Sequence, residues 1–148
     1  MKVRDFIKLK NQKPITIGEG ETVQTAIKIL VDNNIGALPV VDDKDKLVGI
    51  VSERDILKEC LNNSSTIGTR QVREIMTRYV AIATPDEDLD YATSVMKQKG
   101  IRHLPVVVNS KVTGMISMRD IVNTQLHDIQ AEVSYIGLLQ HRAQRRPM

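Results

Sequence analysis

Tryptophan is absent from this 148-residue chain, and one phenylalanine and three tyrosines leave it poor in aromatic rings. Single-stranded nucleic acids stack their bases on such rings inside a basic groove, so a stacking platform is excluded. The net charge of +3 does not substitute for one. Acids and bases alternate through most of the sequence, and the excess collects in the tail His141-Arg142-Ala143-Gln144-Arg145-Arg146, which reads as a solvated basic end. Nucleic acid is therefore not an expected partner. A single cysteine, Cys60, excludes an internal disulfide, and its place in the helical stretch 56–61 predicts an inert, packed thiol. No apolar run approaches the roughly 20 residues that span a bilayer, and Arg4, Asp5 and Lys8 interrupt the segment where a signal peptide would be apolar. A soluble cytoplasmic protein without a membrane partner is the expectation. His127 and His141 have no cysteines or clustered acids at ligand spacing, and no glycine-rich phosphate loop occurs, so neither a metal site nor an enzyme is expected.

The chain instead repeats itself. Ile35-Gly36-Ala37-Leu38-Pro39-Val40-Val41 returns as Ile101-Arg102-His103-Leu104-Pro105-Val106-Val107. Gly49-Ile50-Val51-Ser52-Glu53-Arg54-Asp55-Ile56 returns as Gly114-Met115-Ile116-Ser117-Met118-Arg119-Asp120-Ile121, and ten of the fifteen paired positions are identical. A supersecondary unit of this size cannot bury its apolar face alone, so the two copies are expected to pack into one body.

Each copy opens on matching residues, Val3-Arg4-Asp5-Phe6-Ile7 and Val72-Arg73-Glu74-Ile75-Met76, read as short lead-in helices. Short strands are predicted at 15–17 and 80–82. Helices follow, with Val23, Ala26, Ile27 and Leu30 in one copy and Leu89, Ala92, Thr93 and Met96 in the other spaced to form one face. Thr22 and Asp88 stand at the N-cap positions, and Asn33-Asn34 and Gly100 supply helix-ending chemistry. Two hairpins, 37–41 with 47–51 and 103–108 with 112–116, precede closing helices near Ser52 and Ser117. The predicted class is mixed α/β, two β-α-β-β-α repeats packed as a pseudo-twofold pair. The division is residues 1–61, a linker at 62–71 that includes the polar run 62–69, residues 72–127, and a C-terminal helix and tail at 128–148. Ile129, Val133 and Ile136 recur at helical spacing in that last segment, which has no counterpart in the first copy.

Ser52-x-x-Asp55 and Ser117-x-x-Asp120 have a structural explanation of their own, because a serine N-cap with an acid three residues on satisfies orphan amides at a helix start. A carboxylate in that position also accepts hydrogen bonds from a pair of ribose hydroxyls, while the serine and nearby amides face a phosphate. The element order, the Leu-Pro-Val-Val strands and the Gly-x-(Ile/Val)-Ser-x-x-Asp turns together resemble the CBS domain, named for cystathionine β-synthase, in the tandem form called a Bateman module. The resemblance covers about residues 1–127. It implies a ribose role for Asp55 and Asp120 and a phosphate-side role for Ser52 and Ser117. It implies phosphate contact by Arg102 and His103, where the first copy has only Gly36 and Ala37, and an adenine slot near Ile15, Val80 and Ala81. Arg54 and Arg119 are candidates for a second phosphate, and equally read as solvated helix charges.

The expected function is a non-enzymatic sensor that binds an adenine nucleotide, AMP, ADP, ATP or an NAD-type dinucleotide, between the copies, as a ligand and not a catalytic cofactor. A homodimer is expected, acting on a separate enzyme or channel. The alternative is a dimerisation or protein-interaction module that works without ligand.

Overall fold

In the computed structural model, which describes residues 1–144, Val3 and Phe6 are buried on one face of helix α1 (Val3–Lys10), which ends at Asn11 in the left-handed conformation. Strand β1 (Ile17–Gly18), helix α2 (Val23–Asn33), strands β2 (Ala37–Val41) and β3 (Leu47–Ser52) and helix α3 (Glu53–Asn63) complete the first copy. A 3-10 turn at Ile67–Thr69 leads to helix α4 (Val72–Ile75). Helix α5 (Leu89–Lys99), strands β4 (His103–Val108) and β5 (Lys111–Ser117) and helix α6 (Met118–Gln144) follow. This is the mixed helix and sheet class that the repeat predicts. By internal packing the chain divides into a unit Met1–Ile116 and a second that begins at Ser117.

Local chemistry accounts for most element ends. The Thr22 hydroxyl accepts the Thr25 N–H at 3.2 Å and starts α2, whose Val23, Ala26 and Leu30 are buried as their spacing requires. Asn34 (φ 50°) and Gly100 (φ 64°) end α2 and α5 in the left-handed region. Asn109 and Ser110, both at positive φ, close the β4–β5 hairpin as a two-residue turn of the kind that matches strand twist. β2 runs parallel to β1 and antiparallel to β3, and all five of its residues are buried.

The lead-in segments are exchanged between the copies. α1 docks beside α5: Val3 N–H donates to Glu87 O (2.9 Å), Arg4 N–H to Pro85 O (3.0 Å), and Leu89 N–H to Met1 O (3.0 Å). Reciprocally, Val72 N–H donates to Glu21 O (2.8 Å) and Arg73 N–H to Glu19 O (3.0 Å). Val72 and Met76 thereby enter the core built by Ile17, Val23, Ala26, Leu30, Leu38, Val40, Val51 and Ile56 of the first copy. Two glycines of the repeated turn make the exchange possible. A Cβ on Gly49 would lie 2.6 Å from Met76 Sδ and 2.9 Å from Thr77 O, and one on Gly114 would lie 2.8 Å from Ile7 Cδ1.

Several sequence expectations need correction. The first strand sits at Ile17–Gly18, and its counterpart is a single bridge, Ala83 to Val106, so the extended pairing falls one to three residues later than 15–17 and 80–82. Of the predicted segments only Ile17 is paired: the available edge lies at Val40 and Val41, which take Ile17 and Gly18, and at Val106, which takes Ala83. Asp88 occupies the N-cap position of α5 without a capping bond, and its carboxylate pairs instead with Lys2 Nζ at 3.0 Å. Cys60 is exposed, not packed: it shares the face of Ile56, the buried residue of α3, but lies one turn further along the helix, where that face is no longer covered. The stretch 62–69 is partly ordered as the end of α3 and the 3-10 turn, from which Ile67 packs on the core. No break separates the closing helix from the C-terminal segment, since α6 runs unbroken for 27 residues. Of the basic tail, His141 and Arg142 lie exposed on α6, and Arg145 and Arg146 lie outside the described residues.

Candidate functional site

The first turn of α3 presents a reciprocal cap. The Ser52 hydroxyl accepts the Asp55 N–H at 3.3 Å, and Asp55 Oδ2 accepts both the Ser52 N–H (2.9 Å) and the Ser52 hydroxyl (3.0 Å). One carboxylate oxygen is thus committed to the helix start. The other is not. Asp55 Oδ1 accepts a single bond, 3.2 Å long, from the hydroxyl of Thr77, which arrives from the second copy on the exchanged lead-in. Paired backbone bonds hold that lead-in to β3, from Ile50 N–H to Thr77 O (2.9 Å) and from Thr77 N–H to Ile50 O (2.8 Å).

His103, at the start of β4, reaches the same helix entrance. A Cβ on Gly36 would stand 3.1 Å from His103 Cε1 and 3.5 Å from Glu53 Oε2, and Gly36 O accepts the Glu53 N–H at 3.0 Å. The missing side chain at Gly36 is therefore the room that His103 uses. The backbone between Thr77, on Asp55, and Ala83, on β4, carries Val80 and Ala81, both half-buried. Ser52, Asp55, Thr77 and His103 thus meet at the α3 N-terminus, with Val80 and Ala81 on the segment that links Asp55 to β4. Arg54 and Arg102 are exposed.

Ile15 lies elsewhere, in a concavity of about 70 Å³ lined by residues that include Ile7, Lys10, Lys13, Ala37 and Met115. That space has room for no more than a few waters and falls well below the roughly 300 Å³ at which pockets for drug-sized ligands begin. In the second unit, the Ser117 hydroxyl donates to Asp120 Oδ2 (2.6 Å) and accepts the Asp120 N–H (3.2 Å), which repeats the cap at the start of α6, and Arg119 is exposed. Thr77 is the residue that sequence reasoning missed. The signal was its position directly after the lead-in, where the first copy has Lys8. Among the described residues no group of histidine, cysteine and acids is placed to hold a metal ion, and no helix is long and apolar enough to cross a membrane.

Comparison with known proteins decides the family. The CBS domain model matches residues 3–62 and again 72–127. The chain belongs to the CBS-domain family. This CBS pair superposes on the CBS-domain protein ATU1752 from Agrobacterium tumefaciens with a TM-score of 0.79 and 27% identity, over 84% of this chain and 99% of that one. It is also similar to the CBS domain pair of protein MJ0100, solved in complex with 5′-methylthioadenosine and S-adenosyl-L-methionine (TM-score 0.76, 33% identity, 86% of this chain and 98% of that one). In sequence it is 38% identical over 120 residues to the L-aspartate semialdehyde sulfurtransferase of Methanocaldococcus jannaschii, a match that covers 80% of this CBS pair and 22% of that enzyme. It spans 22%, 40% and 63% of three curated relatives, so the CBS pair is the part shared with longer proteins.

Proposed function

We propose that this CBS pair is a regulatory module, without catalysis of its own, that binds an adenosine-type nucleotide at the α3 entrance in a cytoplasmic setting. The observation that carries the proposal is the state of Asp55. One oxygen is fixed by the cap, and the other is held by a single long bond from a hydroxyl of the opposite copy. A ribose hydroxyl is the same kind of donor as Thr77 Oγ1, so sugar binding exchanges one hydroxyl for another and leaves no carboxylate oxygen unsatisfied. His103 stands where it would face a phosphate, Ser52 would serve the phosphate side, and Val80 and Ala81 would flank the base. Arg102 and Arg54 would act from the exposed rim. Asp120, with Ser117 and Arg119 beside it in sequence, receives the same ribose role, and Ile15 an adenine-facing one. The bound adenosine derivatives of the MJ0100 pair support this ligand class, and the candidates are AMP, ADP, ATP, NAD and these thioether and sulfonium adenosines. Binding would shift the population of module conformations, and with it a partner enzyme or channel, to the extent that the ligand prefers one of them.

Titration calorimetry with that panel tests the ribose role. Asp55→Asn keeps an oxygen for the cap and removes the charge, and the affinity of the ligand that binds wild type should fall roughly ten- to a hundredfold. Equal affinities for wild type and variant would remove Asp55 from the site. The second reading, an interaction module without ligand, is favoured by the exposed apolar residues of α6. A ligand that binds only the folded state at a hundredfold excess over Kd adds about 2.7 kcal/mol to stability, so a melting panel with no shift for any adenosine compound selects that second reading.

A further inference from the structure

The two lead-ins end differently. α4 stops at Ile75, and two residues on Thr77 exchanges backbone bonds with Ile50, its N–H donating to Ile50 O at 2.8 Å. α1 instead continues through Lys8, the counterpart of Thr77, to Lys10, because the run from Val3 to Ile17 is three residues longer than that from Val72 to Ala83. Lys8 O is then used at the helix end, where it accepts the Asn11 N–H at 3.1 Å. The counterpart of Ile50 in the repeated turn is Met115, and its carbonyl is met by a side chain: Lys10 Nζ donates to Met115 O at 2.8 Å. An ionised donor makes the stronger kind of hydrogen bond. Lys10 and Met115 both line the concavity at Ile15, so this bond joins two of its walls, one from α1 and one from β5. About 70 Å³ remains there, against the roughly 300 Å³ at which ligand pockets begin.

We propose that Lys10 is an internal strut that holds this concavity shut, so that the CBS pair takes one adenosine-type ligand per chain, at the α3 entrance. The inference rests on the ligand reading proposed above. It adds that the extra turn of α1 makes the two copies unequal: one lead-in gives its site a hydroxyl, Thr77 Oγ1, and the other closes its concavity with an ammonium. The adenine-facing role of Ile15 then belongs to the form in which Lys10 has let go of Met115 O. Release needs no change of backbone, because the lysine stem is flexible.

Titration calorimetry of the full chain counts the sites, with AMP, ADP, ATP, NAD, S-adenosyl-L-methionine and 5′-methylthioadenosine as probes. The last is uncharged, so removal of a lysine leaves its electrostatic attraction unaltered. The proteins are wild type, Lys10→Ala and the control Lys8→Ala, which removes the same charge from an exposed position of α1. Wild type and Lys8→Ala should take one ligand per chain, and Lys10→Ala two. Two ligands on wild type, one on Lys10→Ala, or a rise in Lys8→Ala as well would overturn the strut and leave the ligand reading standing. No heat from any probe on any of the three proteins would remove the ligand reading, and the strut with it. The wild-type chain supplies a check that does not depend on how Lys10→Ala folds: in reductive methylation read by mass spectrometry, Lys10 should react several-fold more slowly than Lys8, and equal rates would overturn the strut.

Discussion

Two aspartates show how one residue type takes different work from its surroundings. Asp42, in the β2–β3 turn, accepts the backbone N–H groups of Lys46 and Lys44, both at 2.9 Å. The Lys46 N–H, followed by that of Lys44 and the two lysine charges, holds its carboxyl below the ordinary aspartate range. A lowered folded pKa means that the Asp42 contribution to stability is complete above the unfolded value of about 3.9 and disappears as pH falls through the folded value. Carbon-detected NMR should therefore place the Asp42 midpoint below about 3.9, and a midpoint at or above it would show that these bonds do not persist in solution. Asp55 has its capping bonds on one oxygen as well, but its second oxygen faces a hydroxyl from the other copy, and that difference is why the ribose role is proposed for Asp55 and not for Asp42.

At the scale of elements, the repeated glycines carry the exchange of lead-ins. Gly49→Ala would drive a methyl group against the backbone carbonyl of Thr77 as well as Met76 Sδ, and backbone gives way less readily than a thioether. We expect a loss of about 1–3 kcal/mol in urea unfolding. Gly36→Ala presses mainly on the His103 ring at 3.1 Å, which can swing aside, so its cost in stability should be smaller than that of Gly49→Ala. The reverse order would mean that the α4 lead-in is not clamped on β3. In the first copy the glycine, serine and aspartate of the repeated turn thus have separate duties: close approach of the opposite lead-in, capping of the helix, and a carboxylate oxygen that meets Thr77 of the other copy.

At the scale of the whole molecule, the exchange ties the two copies together within the compact unit Met1–Ile116, and they are expected to open as one. Met76 belongs to the second copy by sequence and to the first by packing. Met76→Ala should cost about 2–5 kcal/mol. Hydrogen exchange should then rise together in β2 of the first copy and in α5 of the second. Faster exchange confined to one of them would show that the copies open separately.

Much of this was legible in the sequence because it is decided locally. The faces of α2 and α5 follow from residue spacing, the starts of α2 and α3 from Thr22 and Ser52, the ends of α2 and α5 and the tight hairpin from residues that tolerate positive φ, and the doubled architecture from the repeat itself. The tertiary structure alone decided which copy each lead-in joins, that Thr77 holds Asp55, that His103 occupies the space left at Gly36, and that Cys60 faces outward. The physical reason is range. Capping and periodicity act within a turn or two of chain, whereas Thr77 and Asp55 lie 22 residues apart, and only the packing of one copy's apolar lead-in into the other's core brings them together.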